Sequence, residues 1–135
     1  MVSGWLQGAK DKRGNEIPMS STLFTTATET PAGYRDVQPT ALSTIPKEVR
    51  IVDVREPAEF TGELGHIPQA TLAPLGDLAV RAAAWPKDSE VLVVCRSGGR
   101  SARGAAQLRG MGFTKVMNLA GGMLAYATTG LQVTR

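Results

Sequence analysis

The chain has 135 residues, enough for one domain and too few for two comfortable ones. Hydrophobic residues at 42% and charged residues at 20% lie near globular averages, which excludes a chain disordered throughout. A net charge of +3 with only 5% aromatics gives little support for a nucleic-acid stacking surface, and no run of about 18 apolar residues is present to span a membrane.

Residues 1–33 read as an N-terminal extension. They mix charge and glycine where a secretory signal needs an uninterrupted apolar core. A hairpin around Gly14-Asn15 is one reading of the first part. Trp5, Leu6, Ile17, Leu23 and Phe24 supply more apolar material than a solvated tail needs, so part of the segment is expected to pack on the core or on a partner. From about Tyr34 to residue 135 the pattern alternates strand and helix. Pro39 opens a short helix. Arg50–Val54 is a short apolar strand, and Glu56–Phe60 suits a short helix. Ala70–Leu72 is a weaker strand. Leu75, Leu78, Ala79 and Ala82 recur at helical spacing before Pro86. Val91–Val94 is apolar at every position, as a parallel strand buried on both faces requires. Ala102, Ala105 and Leu108 mark a further helix that stops near Gly112. Lys115–Leu119 is the last strand, and Gly121-Gly122 opens the last helix. This alternation predicts an α/β domain with a central, mostly parallel, five-stranded sheet and helices on both faces. In such sheets ligands bind at the carboxyl ends of the strands.

The chemistry concentrates at one such end. Cys95, the only cysteine, directly follows the VLVV run, and Arg96-Ser97-Gly98-Gly99-Arg100-Ser101 leads into a helix. Glycines let successive N–H groups turn inward, and the helix N-terminus adds positive potential. A free thiol near pKa ~8.5 is only a few per cent ionised at neutral pH, and adjacent arginines with a helix terminus lower that value. The seven residues Cys95–Ser101 therefore supply a nucleophile, its activation and an anion pocket. Residues 95–135 carry six positive side chains and no acid, which suits attraction of a small anion toward Cys95. One cysteine and one histidine leave no Cys-rich or His-based metal site.

Cys95–Ser101, CRSGGRS, resembles the active-site loop of the rhodanese family of thiosulfate sulfurtransferases. Asp53–Phe60, DVREPAEF, and Gly65–Ala70, GHIPQA, resemble two upstream signatures of that family in the same order and spacing. The stretch GFTKVMNLAGGMLAY is similar to its C-terminal end. The resemblance covers about residues 34–133. Gln69 stands where a glycine or other small residue is usual, and Tyr126 where a tryptophan is common. It implies a rhodanese-like domain in which Cys95 accepts sulfane sulfur from a small anionic donor such as thiosulfate. Cyanide, a thiol or a protein acceptor then removes the sulfur from the Cys95 persulfide. The backbone of Arg96, Ser97, Gly98, Gly99 and Arg100, the side chains of Arg96 and Arg100, and Ser97 and Ser101 would bind the substrate. No metal or organic cofactor is implied, and neither nucleic acid nor membrane is an implied partner.

Asp53, Arg55 and Glu59 read as supporting residues. A carboxylate at a buried strand end must be paired, and Arg55 or Arg100 can pair with Asp53. Arg100 is expected to be tethered to Asp53 or Glu59. His66 reads as a local backbone cap rather than a base, and Trp5 and Trp85 as packing residues. A cysteine phosphatase is the first rival, but its loop needs five residues between cysteine and arginine, and here four separate Cys95 from Arg100. A non-catalytic binding module is the second, and retention of Cys95 weighs against it. A single free thiol suits the reducing cytoplasm.

Overall fold

The computed structural model describes residues 20–135. Trp5, Leu6, Ile17 and the hairpin expected around Gly14-Asn15 lie outside the described residues. The elements follow in chain order as α1 (Thr22–Thr26), β1 (Thr28–Glu29), β2 (Arg35–Val37), a 3-10 turn (Pro39–Ser43), β3 (Val49–Asp53) and α2 (Pro57–Phe60). They continue as β4 (Thr71–Leu72), a 3-10 turn (Leu75–Asp77) running into α3 (Leu78–Ala82), β5 (Glu90–Val94), α4 (Gly99–Gly110), β6 (Lys115–Leu119) and α5 (Gly122–Ala127).

The sheet has six strands in the order β1-β2-β6-β5-β3-β4. Every pairing is parallel except β1 with β2. The expected sheet of five strands therefore gains a sixth. The added strand, β1, is supplied by the N-terminal segment and lies antiparallel at one edge, with Thr28 opposite Asp36 and Glu29 opposite Arg35. It escapes sequence reading because both its residues are exposed and carry no apolar alternation.

β5 is central, paired with β3 on one side and β6 on the other, and all five of its residues are buried. Because side chains alternate across a strand, Leu92 and Val94 join one apolar layer while Val91 and Val93 join the other. The first layer is closed by α5, the Pro39–Ser43 turn and Leu23 of α1, the second by α3 and α4. Each fully buried Val or Leu contributes about 1.5–3 kcal/mol. Trp85 is a packing residue. It meets Phe113 edge-on, and the Arg50 guanidinium lies 4.6 Å from its ring centroid.

Two layers on a parallel sheet leave one edge open for function. Asp53 ends β3, Cys95 follows β5, and Asn118 sits one residue before the end of β6. All three carboxyl ends emerge on the same side, because the strands run parallel and in register.

Candidate active site

The alternation along β5 carries Cys95 into the layer of Val91 and Val93, with 1% of its surface exposed. The chain must then reverse into α4. Gly98 makes this possible at φ 107°, a left-handed conformation that side-chain-bearing residues rarely adopt. The reversal aims the Gly98 N–H at Cys95 Sγ, 3.0 Å away. The Ser101 hydroxyl, in the first turn of α4 and fully buried, lies 3.2 Å from the same sulfur.

These donors decide the state of the thiol. Burial pushes its pKa up. The Ser101 hydroxyl and the backbone N–H groups of Ser101, Gly98 and Ser97 outweigh burial and hold it below the ordinary value of 9.0. The sulfur therefore sits in a cradle built to receive negative charge.

The loop is held from behind by α5. The N–H of Met123 donates to the Cys95 carbonyl and that of Leu124 to the Arg96 carbonyl, both at 2.9 Å. Such an approach needs glycine. A Cβ on Gly122 would lie 2.5 Å from the Arg96 carbonyl carbon and oxygen. The second glycine of the GG pair thus protects the shape of the cysteine loop.

Charged residues surround the loop in two pairs. The Arg100 guanidinium forks onto Glu59, Nη1 to Oε1 at 2.7 Å and Nη2 to Oε2 at 2.8 Å. Arg100 holds the Glu59 carboxyl down at about 2, against burial that raises it. Glu59 in turn raises the pKa of Arg100, so the guanidinium stays charged near Cys95. Deeper down, Arg55 pairs with Asp53 through Nε to Oδ1 at 2.9 Å and Nη2 to Oδ2 at 2.8 Å. Both side chains are buried, and Arg55 also donates to the carbonyls of Gly65 and Glu59. Of the alternatives open in sequence, Asp53 takes Arg55 and Glu59 takes Arg100. The Asp53–Arg55 pair ties the end of β3 to the GHIP segment.

Arg96 and Ser97 are exposed on the outer side of the loop. Arg96 lines a cavity of about 160 Å³ together with Ala58, Glu59, Glu63 and Leu64. Cys95 is not part of its wall, so the cavity flanks the sulfur rather than containing it. His66 stacks on Phe60 with ring centroids 3.6 Å apart, and its Nδ1 lies 2.7 Å from the Phe60 carbonyl. Its backbone pairs with Thr134. His66 is thereby committed to local structure.

Sequence reasoning missed two residues. Asn118 is 5% exposed, and its Oδ1 accepts from Ser101 Oγ at 2.6 Å. Its Nδ2 donates to Asp36 Oδ1 at 3.1 Å. The β2–β6 register, which sets Asp36 beside Asn118, creates this link. Nothing local in sequence announces a contact between residues 82 positions apart. Among the described residues, no group of three or more His, Cys, Asp or Glu side chains could hold a metal ion.

The rhodanese-like domain profile matches residues 39–129. The chain belongs to the rhodanese-like domain family. A sulfurtransferase of Allochromatium vinosum is 40% identical over 87 residues, 64% of this chain and 79% of that protein. A putative sulfur carrier protein of Bacillus subtilis is 38% identical over 77 residues, 57% of this chain and 40% of that protein. The crystal structure of a rhodanese-related protein from Thermoplasma volcanium superposes with a TM-score of 0.67 at 27% identity. That match covers 75% of this chain and 98% of the other. The two departures of this rhodanese-like domain from the family pattern sit outside the loop. Gln69 is exposed. Tyr126 is buried on α5, where its hydroxyl donates to the Gln132 carbonyl at 2.7 Å.

Proposed function

We propose that the protein is a sulfurtransferase that carries sulfane sulfur as a persulfide on Cys95. The observation that carries this reading is the cradle around Sγ, with the Gly98 N–H at 3.0 Å and the Ser101 hydroxyl at 3.2 Å. Those donors stabilise a thiolate before reaction and the charge of a terminal sulfur after it. The names of the Allochromatium and Bacillus relatives point toward sulfur transfer or sulfur carriage.

The Cys95 thiolate attacks the outer sulfur of thiosulfate or of a persulfide donor. The donor S–S bond breaks, and its electron pair leaves on sulfite or on the donor thiolate. Cyanide, a thiol or a protein thiolate then attacks the outer sulfur of the Cys95 persulfide and restores the thiolate. No outside oxidant or reductant is needed. Arg96, exposed beside the loop, attracts the anionic donor. Arg100 holds the loop through Glu59 and keeps a positive charge near the sulfur. Ser97 and Gly99 contribute as part of the loop that shapes the cradle. A phosphatase would aim the loop arginine at a tetrahedral oxyanion, whereas the Arg100 fork is taken up by Glu59. A chemistry that needs a reduced thiol favours a reducing compartment such as the cytoplasm.

Steady-state turnover of thiosulfate and cyanide tests this reading. The full chain should form thiocyanate, and Cys95→Ser, a small change of size, should fold and form none. Thiocyanate formation by a folded Cys95→Ser variant would refute the assignment.

A further inference from the structure

Ser101 Oγ has one proton and three acceptors within reach. They are Asn118 Oδ1 at 2.6 Å, Cys95 Sγ at 3.2 Å and the Gly98 carbonyl at 3.2 Å. A hydroxyl donates one hydrogen bond at a time and accepts up to two. The Asn118 amide cannot simply turn over to become a donor. Its Nδ2 is held by the Asp36 carboxylate, and the reversed amide would set two oxygens against each other.

We propose that Asn118, fixed by Asp36, is a positioning residue that competes with Cys95 for the single Ser101 proton and so makes Ser101 a two-position donor. While Cys95 is a thiol, Ser101 donates to Asn118 and its lone pair faces the S–H. When the thiol proton leaves to solvent, the hydroxyl turns and donates to the thiolate, because a hydrogen bond to an ionised acceptor is the stronger one. Ionisation of Cys95 therefore costs one buried Ser101–Asn118 bond. The arrangement keeps the resting sulfur more protonated than the cradle alone would leave it. It also makes a donor available at the moment charge arrives. The inference concerns the sulfur to which the preceding section assigns the transfer reaction, and it rests on that reading only for its biological use.

The other charged groups around the loop do not take part in this competition. Arg96 is exposed, Arg100 is forked onto Glu59, and Asp53 and Arg55 pair with each other. α5 carries no charged side chain. Asp36 is linked to the sulfur by hydrogen bonds through Asn118 and Ser101.

The test is the pH dependence of Cys95 alkylation by iodoacetamide, followed by intact mass. The chain has a single cysteine, so every adduct reports this sulfur. Asn118→Leu removes the nearer of the two rival acceptors, leaving the Gly98 carbonyl at 3.2 Å, and should move the alkylation midpoint down by about 0.5–1 pH, the worth of one ordinary hydrogen bond. Ser101→Ala removes the donor and should move it up. In a Ser101→Ala background, Asn118→Leu should move nothing. Asp36 is only partly buried, so Asp36→Asn is the milder probe if Asn118→Leu fails to fold. It frees the Asn118 amide to turn and should lower the midpoint by an amount that shrinks when Ser101 is absent. An upward shift in Asn118→Leu would overturn the proposal. So would a shift of Asn118→Leu or Asp36→Asn that is equally large without Ser101. These readouts need no sulfur donor, so failure here is distinct from absence of persulfide formation.

Discussion

At the scale of single residues, the site divides its cations between two tasks. Arg96 is exposed on the surface, while Arg100 is tied to Glu59. The Glu59 carboxyl sits at about 2 against an ordinary 4.5, so the folded protein binds that proton less readily than the unfolded chain. Stability from the pair is therefore complete above pH 4.5 and is lost as acid takes the chain toward pH 2. Both side chains are about 30% exposed, so solvent screening keeps the effect modest. Thermal melts of the wild type and Glu59→Gln between neutral pH and pH 2 isolate it. The difference in Tm should be clear at neutral pH and should close through that acid window. A difference that stayed constant across it would contradict an ionic role. Cys95 and the six residues after it were legible in sequence because one contiguous segment holds the whole turn. Asn118 and Asp36 were not, since a buried asparagine acquires its meaning only from the register of β2 on β6.

At the scale of elements, the buried strands β3, β5 and β6 were legible as short apolar runs, and α4 as small and apolar residues at helical spacing. α1 and β1 were not, because five helical residues and two exposed strand residues carry too little pattern. Their position is fixed by contacts instead. Leu23 is buried in the layer beneath α5, and Ser21 donates its N–H to the buried Glu90 carboxylate at 2.7 Å. Arg35 of β2 donates to the Phe24 carbonyl at 2.9 Å and lies over its ring. None of these residues approaches the cysteine loop. Residues 34–135 are proposed to suffice for chemistry, with α1 and β1 as a strap that stabilises them. Removal of residues 1–33 should leave thiosulfate–cyanide turnover within a few-fold and lower Tm. Leu23→Ala alone should cost about 2 kcal/mol or more. An unchanged Tm would show that the strap contributes nothing. Loss of all turnover in a folded truncation would show that the catalytic unit begins earlier.

At the scale of the whole molecule, a parallel sheet covered on both faces gathers the ends of β3, β5 and β6 along one rim. β3 brings the Asp53–Arg55 clamp, β5 leads into Cys95, and β6 brings the partner of Ser101. α4 presents its first turn to the sulfur, while α5 grips the loop carbonyls. A reaction that only moves one sulfur atom needs little more than this fixed cradle and an approach for an anion. In the proposed reaction Cys95 holds that atom between donor and acceptor. Intact mass after incubation of the full chain with thiosulfate, or with a small persulfide, measures it directly. The wild type should gain the mass of one sulfur atom, localise it to Cys95 and lose it on addition of cyanide, while Cys95→Ser should gain nothing. No gain from either donor, or the same gain in Cys95→Ser, would contradict the account.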